Sequence, residues 1–146
     1  HLTVVDTPVG RLGMTICYDL RFPGLFQALR AQGAEIISVP AAFTRVTGEA
    51  HWEVLLRARA IENQCMILAP AQVGSHGLTR RTWGHSMAVD AWGKVLIENP
   101  DNVSALKVRV EANGLQKIRK QMPVMQHNRF QPSLVPPFNE VSSNKE

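Results

Sequence analysis

Two cysteines and a few ionisable side chains define the chemistry open to this chain. Cys17 stands in TICYDLRFPG, at the end of an apolar run and just ahead of the helix-starting Pro23. A thiol is a nucleophile only when ionised and within reach. A strand end that turns toward a helix offers access and, at the helix start, backbone N–H groups and a favourable dipole. The opposite reading makes Cys17 a small buried hydrophobe, a common fate of free cysteine. Cys65 opens the apolar run CMILAPAQV and reads as core. Asp19 can cap the helix or take up turn amides. Arg21 either pairs with Asp19 or Glu62 or presents its planar fork to a substrate carboxylate. His51 and His85 are the histidines to test for a Cys–His pair; each otherwise serves as a structural hydrogen-bonder. Arg59 falls on the apolar face of its helix with Glu62 one turn on, which reads as a buried pair positioning the sheet. Phe43, Trp52 and Trp83 are candidate pocket walls, with core packing the default for Trp52.

These residues need a scaffold, and the apolar spacing supplies one. Residues 10–16 read as a strand, preceded by the strand-like LTVVDTPVG. Residues 23–31 carry helical spacing through Leu25, Phe26 and Leu29, with Pro23 in the first turn and Gly33 as C-cap. EIISVPAA, residues 35–42, is a second apolar run, and 44–50 reads as a loop broken by Gly48. Residues 51–64 form the clearest helix, placing Trp52, Leu55, Leu56, Arg59 and Ala60 on one face. Residues 65–73 read as a strand covered on both faces. The polar, Gly-punctuated stretch 74–84 reads as an exposed loop, residues 85–89 and 94–98 as a hairpin, and 105–110 as a final strand. A short helix over 115–122 ends at Pro123. The order β-α-β-α-β followed by a hairpin predicts a layered α/β domain over residues 1–130, and half of one. The proline-rich remainder, 131–146, predicts an extended or disordered tail.

With 146 residues, 45% hydrophobic and 19% charged, the composition is globular. No apolar run approaches the roughly 20 residues a bilayer crossing needs. The net charge of +4 is spread along the chain, with short groups at Arg80–Arg81 and at Lys117, Arg119 and Lys120. It forms no stripe of the kind a nucleic-acid binder shows, so neither nucleic acid nor membrane is an expected partner. Two cysteines make no disulfide framework, which favours a reducing, intracellular compartment. The chain opens at His1 directly on a strand-like segment, as a piece of a longer protein would, so a missing leader says little.

Taken together, the motifs resemble the nitrilase superfamily of carbon–nitrogen hydrolases. GRLGMTICYDLRFP resembles its nucleophile segment, and PAAFTRVTGEAHWEVLLRARAIENQ the region that follows. WGHSMAVDAWGKVL and IRKQMPVMQHNRF resemble the later hairpin and last helix, so the likeness runs from about Gly10 to about Arg129. Within the superfamily the Nit branch is nearest, in particular its Nit1-like enzymes, whose implied activity is deaminated glutathione amidase. One departure is Gly24, where close relatives carry Glu; glycine there costs up to about 1 kcal/mol of helix propensity.

The resemblance implies the C-terminal half of a four-layer αββα sandwich. It implies Cys17 as nucleophile in a Glu–Lys–Cys set, with the Tyr18 backbone N–H helping to hold the oxyanion. Arg21, Phe43, Thr47 and His51 are the candidate substrate contacts. The implied substrate is a small amide such as deaminated glutathione, with ω-amidase action on 2-oxo-acid amides, or a non-catalytic oligomerisation module, as alternatives. No metal or organic cofactor is implied. The implied partners are copies of the same chain, as a homodimer or larger, and a Fhit-type nucleotide hydrolase. A cytoplasmic location is expected, with a mitochondrial one as alternative. The family Glu and Lys precede the nucleophile, yet the sixteen residues ahead of Cys17 contain neither. The 146 residues alone are therefore expected to be inactive.

Overall fold

A computed structural model describes residues 1–130 of the chain; the expected tail over 131–146 lies outside the described residues. Strands β1 (Val4–Thr7) and β2 (Gly10–Met14) form a hairpin. A 3₁₀ turn over Cys17–Arg21 leads into α1 (Pro23–Ala31), followed by β3 (Ile36–Ser38), α2 (Arg45–Asn63) and β4 (Met66–Ala69). A second hairpin, β5 (Val73–His76) and β6 (Arg80–Trp83), stands apart from the main sheet. Strands β7 (Ser86–Val89) and β8 (Val95–Asn99) complete that sheet, and α3 (Ala112–Gln121) and α4 (Val124–His127) follow. The six-stranded order is β1-β2-β3-β4-β7-β8; β2, β3 and β4 run parallel and the outer pairs antiparallel.

Period-two alternation sorts the strand residues onto two faces. Ile37, Val39, Ile67, Ala69, Met87 and Val89 face α1 and α2, where they meet Leu20, Phe26, Leu29, Trp52, Leu56 and Ala60. The opposite face carries Ile36, Met66 and Ala88, with Leu12, Leu68 and Ile97 packed beside them. No helix of the α1–α2 kind covers it. This is one sheet with α1 and α2 on one side and only Val108, Val110 and the α3 residues Leu115 and Ile118 near the other, half of the expected four-layer arrangement.

Five expectations are corrected by the structure. The long helix begins at Arg45, six residues earlier than the spacing suggested. Gly48 does not break it, because its missing Cβ leaves the space that the Trp83 side chain fills. The stretch 74–84 is not a plain loop; it holds the β5–β6 pairing, closed by Gly77 at φ +68°. Residues 105–110 join no ladder. Alternation fixes where side chains point and does not supply a pairing partner, and here it aims Val108 and Val110 at the cluster of Ile36, Met66 and Ala88. Finally, Cys17 does not lead straight into α1: it opens a 3₁₀ turn that stands between it and that helix in the chain.

Candidate active site

The backbone of β2 ends at Met14, and the parallel ladder continues past it. Thr15 N–H donates to the Ser38 carbonyl at 3.1 Å and Cys17 N–H to the Pro40 carbonyl at 2.8 Å. Ala41 N–H likewise donates to the Pro70 carbonyl at 3.0 Å, so the segments after β2, β3 and β4 stay side by side. Crevices beyond the carboxyl ends of parallel strands are where open α/β sheets bind ligands. A cleft of about 660 Å³ lies there, lined by Cys17, Pro40, Ala41, Pro70, Gln72 and His76 among others. A larger hollow of about 720 Å³, bordered by Ile36, Met66, Val108, Leu115 and Ile118, has Glu35, Asp90 and Glu111 in its lining but no thiol, hydroxyl or amine. The first is the one that holds the candidate thiol.

Cys17 is partly exposed at the cleft, with its backbone at φ +46°. That left-handed conformation is uncommon outside glycine and costs on the order of 1–3 kcal/mol, so it persists only where its surroundings enforce it. The Asp19 carboxylate accepts the Ile16 N–H at 2.8 Å, closing the turn from the side, which is the turn-amide role expected of it. With the Cys17 N–H committed to Pro40, the Tyr18 N–H is the next amide in the turn. Among the described residues no acceptor takes it. A free N–H beside a partly exposed sulfur is the geometry that stabilises a tetrahedral oxyanion.

Arg21 pairs with neither Asp19 nor Glu62. Glu62 is taken by Arg59 at 2.9 Å, and the Arg21 Nη1 lies 3.3 Å from the His51 Nδ1. Its guanidinium sits 5.4 Å from the centre of the Tyr18 ring and 5.2 Å from that of Phe43, a cation–π arrangement that fixes the plane of the fork. The Thr47 hydroxyl, one turn before His51, is 2.9 Å from that of Thr44. Arg21, Phe43 and His51 are thus brought into one cluster. It adjoins the cysteine turn and lies outside the cleft lined by Pro40 and Pro70.

The remaining candidates have structural partners. The His85 imidazole meets Glu98 at 2.6 Å and stacks on Trp83 with 4.1 Å between ring centres, while its carbonyl accepts the Trp52 Nε1–H at 2.8 Å. Trp52 is core, as expected, and tilts against Phe43 at 5.0 Å. Cys65 is also core; its thiol donates to the Ala34 carbonyl at 3.2 Å. Burial pushes that thiol up to about 11, against a smaller opposing pull from the Arg119 guanidinium. Desolvation in turn lowers the pKa of Arg119.

Several cleft residues escaped the sequence reading. His76 arrives through the β5–β6 pairing and is held by Thr82 at 2.9 Å. Ser86 both accepts the Ala71 N–H at 2.8 Å and donates to the Ala71 carbonyl at 3.1 Å, fixing the turn after β4. Asn102, Val103 and Ser104 also line the cleft, and no pattern in the sequence marks them. No carboxylate or ammonium lines it among the described residues, and no cluster of His, Cys, Asp and Glu there could hold a metal. No described helix is long and apolar enough to cross a membrane.

Sheet, turn and cleft define a layered α/β domain that presents a cysteine at the carboxyl ends of its parallel strands. The carbon-nitrogen hydrolase family profile matches residues 1–120, and the chain belongs to that family. Over 140 residues it is 80% identical to a deaminated glutathione amidase of Yersinia enterocolitica, which covers 96% of this chain and 49% of that protein. The crystal structure of the Caenorhabditis elegans NitFhit protein matches with TM-score 0.79 at 47% identity, over 86% of this chain and 31% of that one. Saccharomyces cerevisiae Nit3, of the nitrilase superfamily, matches with TM-score 0.81 at 32% identity, over 88% and 47%. The chain spans half or less of the length of these relatives.

Proposed function

We infer that this chain supplies the nucleophile side of an amidase that cleaves a small carboxamide such as deaminated glutathione through a Cys17 thioester. The observation that carries the reading is a partly exposed thiol on a left-handed turn at the cleft, next to an unclaimed Tyr18 N–H. The activity named for the Yersinia relative agrees with it. In the first half-reaction the thiolate attacks the amide carbon, a C–S bond forms, and the oxyanion rests on the Tyr18 N–H. Collapse breaks the C–N bond, and the nitrogen leaves as ammonia after taking up a proton. Water then cleaves the C–S bond, releasing the carboxylic acid and the free thiol. The family resemblance puts the glutamate that would move these protons and the lysine that would share the oxyanion ahead of the nucleophile; the described cleft lining contains neither.

Arg21 is read as the contact for a substrate carboxylate. It has no carboxylate partner among the described residues, and its fork is held by two rings and His51. Phe43, Thr47 and His51 stand with it beside the cysteine turn, outside the cleft itself, where they would meet the part of a substrate that reaches beyond the thiol. Ammonia release by the full-length protein tests the reading, with deaminated glutathione compared against α-ketoglutaramate. Preference for the latter would make the enzyme an ω-amidase, and release unaffected by Cys17→Ala would overturn a cysteine mechanism.

Association is part of the same reading. The outer side of α2 exposes Val46, Val54 and Ile61, which suits packing against a second copy. The likeness to a NitFhit protein supports a Fhit-type nucleotide hydrolase as partner. We place the protein in the cytoplasm, which cell fractionation would test.

A further inference from the structure

We propose that Arg59 is the positioning residue of the nucleophile turn, and that its task is set by Pro23. Leu20 is fully buried in the 3₁₀ turn, so water cannot serve its carbonyl. In a 3₁₀ turn a carbonyl takes the N–H three residues ahead. For Leu20 that residue is Pro23, which has no N–H to give. None of the described backbone N–H groups takes this carbonyl instead. The turn's burial and the missing N–H of Pro23 together create a buried orphan acceptor three residues from the thiol, and such a group must find a donor.

Arg59 provides it from another element. Its Nε and Nη2 both donate to the Leu20 carbonyl, at 3.1 and 2.8 Å, and its Nη1 donates to Glu62 at 2.9 Å. The guanidinium lies 5.5 Å from the centre of the Phe26 ring, so one side chain joins α2, the 3₁₀ turn and α1. This explains why an arginine only 6% exposed stands on an apolar helix face. The pair with Glu62 matches the sequence reading, but the object it positions is the cysteine turn and not the sheet. Pro40 takes the Cys17 N–H, Asp19 takes the Ile16 N–H and Arg59 serves the Leu20 carbonyl, so the turn that carries Cys17 at φ +46° is braced at both ends.

This inference rests on Cys17 being the working thiol, and its test reads the thiol directly. Alkylation by iodoacetamide between pH 6 and 9, followed by peptide mass spectrometry, separates Cys17 from the buried Cys65, whose protection serves as an internal check of folding. In Arg59→Met the Cys17 rate and its pH profile are expected to shift by about tenfold while Cys65 stays protected. In the full-length protein kcat should fall by about 10–100-fold with KM within about twofold. Arg59→Lys, which keeps the charge but not the two-pronged grip, should lie between. Adding Pro23→Ala restores a backbone donor, so the double variant should recover part of the loss, which a merely structural arginine would not show. A folded Arg59→Met protein with an unchanged Cys17 profile and kcat overturns the proposal. If Arg59→Met does not fold, an unchanged profile in Arg59→Lys does so. Loss of the amidase reading through Cys17→Ala would leave the alkylation result standing, so the two failures are distinguishable.

Discussion

Cys17 hangs from Pro40: the N–H of the one donates to the carbonyl of the other at 2.8 Å, beyond the ends of both their strands. The sulfur therefore takes its position from the sheet itself. Replacing it by alanine in the full-length protein should leave that ladder intact while lowering amide hydrolysis by roughly three orders of magnitude or more. Ammonia release at saturating substrate measures this, with circular dichroism to confirm an unchanged fold.

The 146-residue chain by itself should release no ammonia above background, because among the described residues no carboxylate or lysine lines its cleft. Steady turnover by the isolated 146 residues would require a different catalytic set.

Arg21→Ala in the full-length protein should raise KM for amides bearing a free carboxylate by about 10–100-fold, the worth of a charge-assisted hydrogen bond. The methyl-ester analogue, which offers no carboxylate, should show little change. Equal losses on both substrates would remove Arg21 from carboxylate recognition.

The fold was legible where spacing is local. α1 matches residues 23–31, because Pro23 and the Leu25–Phe26–Leu29 spacing act within the segment. The β7–β8 hairpin around Asp90 and Gly93 was legible for the same reason. Gly48 misled because its reason is tertiary: Trp83, far along the chain, needs the space. The β5–β6 hairpin and the unpaired 105–110 stretch failed alike, since pairing depends on partners that alternation does not reveal. At the site, Cys17 stood out by its place after a strand. His76 and Ser86 became visible only once the register was known.

Gly48→Ala should destabilise the fold by about 1–3 kcal/mol, although alanine favours helix, because the new methyl collides with Trp83. Thermal melting measures it, and a rise in Tm would show that the hairpin can shift away at little cost.

Cys65 makes stability fall at alkaline pH. Its thiol titrates near 9.0 when unperturbed and at about 11 in the fold, so between those values the unfolded chain ionises first and is favoured. The loss is fully absent below about pH 9, develops as pH rises and levels off above about pH 11. It amounts to on the order of 2 kcal/mol. Denaturant titrations at pH 8 and pH 10.5 should show this slope, and Cys65→Ala should flatten it.

The uncovered side of the sheet carries a consequence for handling and for evolution. Met14 and Ile16 stand more than half exposed, beyond the part of that face which Val108 and Val110 reach. Such an exposed apolar strip predicts low solubility for the polypeptide produced by itself and a higher soluble yield when the rest of a four-layer domain is co-expressed with it. Any mutation that trims the strip toward polarity would trade ease of purification against reassembly, so natural variants should leave it greasy.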